Sequence, residues 1–230
     1  FLPGNRDFLA KISEAGEANC LYLVKQDNSR EKLHCEEGVD IGSLIPSSQP
    51  GLPLALLNNP VKPTVVMMSG GTEESLLYET ISKSYPDDIV FFSDYSRDGK
   101  RILFGVYSDT KPVRHYLHDK QSNTSRAVVN SSAKINPALS GSRTGFTFKA
   151  RDGLTIHGLL TLPKSHVKGK TPMIVMPHGG PLGVVGSWYF DKDVQWLAAN
   201  GYAVLQVNFR GSGGYGQAFV RKGYRTWGTD

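Results

Sequence analysis

Apolar residues in the first 140 positions occur in short runs separated by polar turns. Segments 8–13, 20–26, 64–69, 76–81, 89–93, 101–108 and 113–118 are rich in Val, Ile, Leu, Tyr or Phe. Each is bounded by Gly, Asp, Asn, Ser or Pro, the pattern of β-strands broken by turns. No amphipathic helix of convincing length is expected in this half. A weak internal repeat overlies the strands: one strand ends in Ser, a polar turn follows, and the next strand carries Tyr. Ser13 leads to Tyr22, Ser69 to Tyr78, and Ser108 to Tyr116. The Ser69-to-Ser108 spacing approaches the ~40–45-residue period of a four-stranded propeller blade. A β-sandwich would give similar short strands with regular turns.

The pattern changes at the small polar link 140–143. Segments 146–150 and 155–162 alternate apolar and polar residues and are joined through Arg151-Asp152-Gly153, a hairpin signal. Residues 173–176 are wholly apolar, as expected of a strand buried on both faces of a parallel sheet. Residues 191–200 predict a helix, since Val194, Leu197 and Ala198 fall at i, i+3 and i+4 and Asn200-Gly201 supplies a stop. Residues 202–209 predict a second buried strand, 211–214 a loop, and 215–224 a further helix. Strand–helix–strand crossovers build parallel sheets. The expected organisation is therefore an all-β unit over 1–140 and an α/β unit over 141–230.

Composition excludes some functions. Of the 230 residues, 39% are hydrophobic and 20% charged, with a net charge of +5. No apolar stretch approaches the ~20 residues of a membrane span. The basic residues are scattered, which argues against a nucleic-acid partner. Cys20 and Cys35 are too few for a disulfide scaffold and leave two readings open, a pair or two free thiols. No Cys/His cluster has metal-ligand spacing, so no metal or other cofactor is expected.

Two motifs carry candidate chemistry. His178-Gly179-Gly180-Pro181 follows the apolar run 173–176 directly. A glycine pair after a buried strand suits a turn whose amides must face an incoming carbonyl, where a Cβ would obstruct the approach or forbid the backbone angles. A tight turn with no chemistry is the alternative. The second motif is Asn208-Phe209-Arg210-Gly211-Ser212-Gly213-Gly214-Tyr215-Gly216. It lacks the spacing and the Lys-Ser/Thr of a phosphate-binding loop. Gly211, Gly213 and Gly216 match a dinucleotide fingerprint by spacing, but that fingerprint belongs to the first strand–helix turn.

These motifs, with Arg151–Gly158 before them and Trp227-Gly228 after, resemble in order and spacing the opening of the catalytic domain in the prolyl oligopeptidase family. The acylaminoacyl peptidase and dipeptidyl aminopeptidase branch is the most similar. The resemblance is close over 141–230 and looser upstream. It implies the N-terminal half of an α/β-hydrolase domain, a parallel sheet with a leading antiparallel hairpin, preceded over 1–140 by the last blades of a β-propeller. It implies a serine peptidase cleaving short peptides through an acyl-enzyme, with no cofactor. The backbone N–H of Gly180, or of Gly179, would help bind the oxyanion. In the prolyl oligopeptidase branch a Tyr stands where this chain has His178, so a backbone donor is expected and the role of His178 is left open. Arg210 would brace its loop or meet a substrate carboxylate. The G-x-S-x-G nucleophile elbow is absent from the sequence, and Ser212 fails the pattern because Arg210 stands two places before it. The family's Ser, Asp and His are therefore expected beyond Asp230, with none of the triad inside the chain. An esterase or lipase and a non-catalytic hydrolase-like binding module are the competing readings. Oligomeric state is not assigned, and the compartment is open between cytoplasm and periplasm.

Overall fold

The computed structural model describes residues 2, 6–58, 61–130, 136–180, 182–226 and 228. Pro181, Trp227 and Asp230 lie outside the described residues. The described chain begins with a three-stranded antiparallel meander, β1 (Phe8–Ile12), β2 (Cys20–Val24) and β3 (Arg30–His34). A second follows: β4 (Ser43–Ile45), β5 (Ala55–Asn58) and β6 (Thr64–Met67). Helix α1 (Glu73–Lys83) leads into a four-stranded antiparallel sheet. Its strands are β7 (Ile89–Tyr95), β8 (Arg101–Tyr107), β9 (Arg114–Asp119) and β10 (Thr124–Asn130), in the order β10-β9-β8-β7.

A 3-10 turn at Pro137–Leu139 precedes a mixed sheet. This sheet contains β11 (Ser142–Lys149), β12 (Thr155–Leu162), β13 (Met173–Val175) and β14 (Ala203–Asn208), ordered β11-β12-β14-β13. Helix α2 (Lys192–Ala199) joins β13 to β14, and α3 (Gly216–Arg221) follows β14. Strands β11, β12 and β14 pair antiparallel in turn, while β13 and β14 pair parallel. Three antiparallel sheets thus precede one mixed sheet with helices.

Segment 76–81 is helical rather than a strand, so the first half does contain an amphipathic helix. Thr72 caps α1 by accepting the Ser75 N–H, and Glu73 and Glu74 sit in its first turn. Ser75, Tyr78 and Ile81 face inward while Leu76 faces solvent, a helical rather than an alternating pattern. Tyr78 therefore belongs to no second strand, and the Ser69 copy of the repeat fails. Residues 173–176 also differ from expectation. Strand β13 is an edge strand, with Met173 56% and Val175 59% exposed, because no neighbour covers its outer side among the described residues.

The largest core packs Ile45, Leu54, Tyr78, Phe92, Ile102, Phe104 and Tyr107 between β4–β5, α1 and β7–β8. Trp188, from the segment between β13 and α2, is buried in the same cluster, and Tyr189 stacks on Tyr107 at 4.7 Å. Each buried aliphatic or aromatic side chain of this kind stabilises by about 1.5–3 kcal/mol. The two halves thus share a core through Trp188. Cys20 and Cys35 form a disulfide between β2 and the segment after β3, which removes the free-thiol reading.

Candidate functional site

Parallel pairing of β13 with β14 continues one step past β13, where the Met176 N–H donates to the Leu205 carbonyl at 2.8 Å. His178 and Phe209 therefore leave the sheet side by side at the carboxyl ends of neighbouring parallel strands. In open α/β sheets this is where ligands bind. The His178 ring stacks on Phe209, with centroids 4.5 Å apart and planes 20° apart.

Hydrogen bonds fix the ring further. His178 Nδ1 lies 2.6 Å from the Gly179 carbonyl oxygen, which can only accept, so Nδ1 carries the proton. His178 Nε2 lies 2.8 Å from Ser212 Oγ, a hydroxyl able to donate to that nitrogen or accept from it. No peptide bond is cis. In a trans peptide the C=O and the following N–H point in opposite directions. Tethering the Gly179 carbonyl to the imidazole therefore turns the Gly180 N–H away from it. Among the described residues this N–H meets no acceptor.

The space around the turn is open. A Cβ at Gly179 would meet nothing within 4 Å, and one at Gly180 nothing nearer than the Leu182 nitrogen at 3.8 Å. Neither glycine has a left-handed φ. Glycine is thus not required here by the backbone angles, which removes one of the two reasons the sequence offered for it.

The two loops flanking the turn are joined by backbone bonds. The Gly183 N–H donates to Gly211 O at 2.8 Å, and the Gly213 N–H to Val184 O at 3.0 Å. Here glycine is required, since a Cβ at Gly213 would run into the Gly183 carbonyl. Asn208, 2% exposed, accepts the Gly186 N–H at 2.8 Å and donates to Gly186 O and to the Tyr215 hydroxyl. Tyr215 in turn stacks on His157 at 4.0 Å. Burial pushes the Tyr215 phenol up to about 12 and holds the His157 imidazole below its ordinary value. Both groups are neutral at pH 7.

Arg210 donates to Asp152 at 2.9 Å, binding the glycine-rich loop to the β11–β12 turn. The Arg210 hydrogen bond holds the Asp152 carboxyl below the usual range. From the first half, the turn between β1 and β2 reaches α3, and the segment after β3 reaches the glycine-rich loop. Gly16 O accepts the Ala218 N–H at 2.7 Å, and the Asp40 N–H donates to Gly214 O at 2.9 Å.

Of the four residues singled out in the sequence, the structure brings His178, Gly179 and Gly180 into one turn and places Arg210 in the adjoining loop. It adds Ser212 and Asn208, which sequence pattern did not single out as site residues. Their only signal was membership of the glycine-rich run. The turn presents an amide donor above the strand ends. Ser212 is not available to attack a substrate, being 1% exposed. Among the described residues there is no group of His, Cys, Asp and Glu that could hold a metal ion, and no helix is long and apolar enough to cross a membrane.

Residues 188–230 match the model of the Prolyl oligopeptidase family. The chain is 28% identical over 229 residues to the dipeptidyl peptidase family member 6 of Caenorhabditis elegans, covering 90% of this chain and 30% of that protein. It is 31% identical over 137 residues to the dipeptidyl aminopeptidase BIII of Pseudoxanthomonas mexicana, covering 56% of this chain and 20% of that protein. Among solved structures, a puromycin hydrolase superposes with a TM-score of 0.59 at 21% identity, over 94% of this chain and 33% of that one. The chain thus spans under a third of the length of these two curated relatives. Residues 188–230 are thus similar to the prolyl oligopeptidase family, and the likeness to the solved structure is one of fold.

Proposed function

We propose that this chain supplies the oxyanion-binding turn of a serine-type peptidase that hydrolyses short peptides through an acyl-enzyme, in the acylaminoacyl peptidase and dipeptidyl aminopeptidase branch. In this reading residues 1–140 are the last blades of a β-propeller, and 141–230 are the leading part of an α/β-hydrolase domain. The nucleophilic Ser and the Asp and His that serve it come from outside these residues. The Gly180 N–H is the donor, and Arg210 braces the loop through Asp152.

The observation that carries the proposal is the tethered Gly179 carbonyl. With that oxygen held by His178, the Gly180 N–H is turned away from the ring, in an exposed residue at the carboxyl ends of β13 and β14. A donor fixed before reaction stabilises a tetrahedral oxyanion without reorganisation. The similarity to peptidases supports a peptide as the substrate.

The test uses the polypeptide in which this sequence occurs with a nucleophile elbow, and an aminoacyl 4-nitroanilide as substrate. Gly180→Ala keeps the N–H, and its new methyl meets open space. Gly180→Pro removes the N–H. Loss of one oxyanion donor lowers kcat by about 10²–10³, so the Pro variant should fall by that factor while the Ala variant stays near wild type. A Pro variant with unchanged kcat refutes the assignment.

A further inference from the structure

We propose that Ser212 is a positioning residue, whose hydroxyl holds the His178 ring in the one orientation that tethers Gly179 and aims the Gly180 N–H. This rests on the oxyanion reading above and adds to it a residue on a different loop, 34 positions away in sequence.

The argument starts from the imidazole. Rotation about the Cβ–Cγ bond of His is broad and roughly two-fold. Stacking on Phe209 fixes the plane of the ring but not which edge faces Gly179. A half-turn would put Cδ2 where Nδ1 now lies, and Cδ2 is no donor to the Gly179 oxygen. The same half-turn would put Cε1 opposite Ser212 Oγ. Both polar bonds, 2.6 Å to Gly179 O and 2.8 Å to Ser212 Oγ, therefore select the same ring orientation.

Ser212 suits this part because it is itself immobilised. It is 1% exposed, and its N–H donates to Phe209 O at 3.0 Å. Its neighbours Gly211 and Gly213 are bonded to Gly183 and Val184. A hydroxyl also serves both charge states of the ring, donating to neutral Nε2 and accepting from a protonated one.

The Nε2–Oγ distance equals that of a nucleophile–base pair, but the surroundings exclude that use. The hydroxyl is sealed from substrate, and the far ring nitrogen faces a backbone carbonyl instead of a carboxylate.

Two measurements test the proposal. The first is the Nδ1–H proton and ring ¹⁵N signals of His178 in the full chain, with Ser212→Ala beside wild type. The expected result is a sharp Nδ1–H signal in wild type that broadens or disappears in Ser212→Ala while the rest of the amide spectrum is retained. An unchanged ring signature in a folded Ser212→Ala overturns the proposal. The second is a double-mutant cycle on kcat in the polypeptide bearing the nucleophile, using Ser212→Ala and His178→Asn, which keeps a donor near Nδ1 but has no Nε2. If Ser212 acts through His178, Ser212→Ala lowers kcat about tenfold or more with KM unchanged, and adds little once His178→Asn is present. Full additivity overturns the proposal, because Ser212 would then act independently of the ring. An altered ring signature with unchanged kcat instead refutes the oxyanion role of the turn and leaves the Ser212–His178 coupling standing. Should Ser212→Ala not fold, Ser212→Cys, with a weaker donor of similar shape, takes its place in both measurements.

Discussion

The Arg143 backbone N–H donates to Asp109 Oδ2 at 2.7 Å, tying the start of β11 to the turn after β8. The Arg143 side chain then turns the other way. Its Nε donates to Thr161 Oγ1 at 3.1 Å, and its Nη1 donates to the Ser187 and Tyr189 carbonyls at 3.0 and 2.6 Å. Gln195 of α2 completes the junction, donating to Asp109 O and Gly141 O and accepting the Gly141 N–H. One residue of β11 thus links the turn after β8, strand β12, and the segment that runs from the His-Gly-Gly turn to α2.

Arg143 is 4% exposed, and burial lowers its pKa against the pull of Asp191 and Asp109. Arg143→Met should remove three hydrogen bonds and strand the carbonyls of Ser187 and Tyr189. The expected loss is about 3 kcal/mol, the scale for breaking a buried charged hydrogen-bond network. Urea denaturation of the two proteins at pH 7 checks it. Arg143→Lys should recover little of that loss, since a single ammonium cannot reproduce the fork.

His157 governs a pH effect. Burial, with the ring stacked on Tyr215, places its folded pKa below the ordinary 6.5. The native state therefore favours the neutral ring. That contribution is fully present above pH 6.5 and is lost as pH falls through the folded value. His157→Phe keeps the stacking and removes the titration. Its melting temperature should drop less than that of wild type between pH 7.5 and pH 5, as read by circular dichroism. Equal drops would show that other groups account for the acid sensitivity.

The features legible in the sequence were those written locally. Arg151-Asp152-Gly153 made a hairpin because the turn chemistry sits in three adjacent residues, and Gly153 takes the left-handed φ of 84° that the turn needs. The helix over 192–199 was legible because Val194, Leu197 and Ala198 repeat at helical spacing and Asn200-Gly201 stops it. Helix α1 was misread because Leu76, Leu77 and Tyr78 form a short apolar run, which alone does not separate strand from helix. Thr72 and the two acidic residues after it carried the signal. Strand β13 is less buried than its apolar run suggested, because burial depends on neighbours and Met173–Val175 does not encode them. In the site, the His-Gly-Gly turn could be placed from order alone. The partner of His178 could not, because the chain crosses α2 and β14 before Ser212 returns to it.

The Cys20–Cys35 disulfide closes a loop with a sequence separation of 15. Cross-linking a loop of that size stabilises by about 3 kcal/mol in the chain-entropy model. The paired Cys20→Ser, Cys35→Ser variant should unfold at correspondingly lower urea, and dithiothreitol should shift wild type toward the variant without moving the variant itself. The β1–β2 turn that meets Ala218 lies next to this cross-link, so the variant should also show faster hydrogen exchange at the Ala218 amide.

Glycine substitutions separate the two halves of the site. Gly213 approaches the Gly183 backbone so closely that a methyl must displace a carbonyl, not the flexible end of a side chain. The displacement would part the Gly183–Gly211 and Gly213–Val184 bonds that hold the loops together. Gly213→Ala should therefore cost about 1–3 kcal/mol, the usual penalty of overpacking. It should also loosen the Ser212–His178 contact, because Ser212 is the adjacent residue. Gly179→Ala meets open space at an ordinary φ and should change stability by less than about 0.5 kcal/mol. Urea midpoints of the two variants decide the matter. If Gly179→Ala proves the more damaging of the two in the isolated chain, the turn is not open in the way described, and the direction assigned to the Gly180 N–H fails with it.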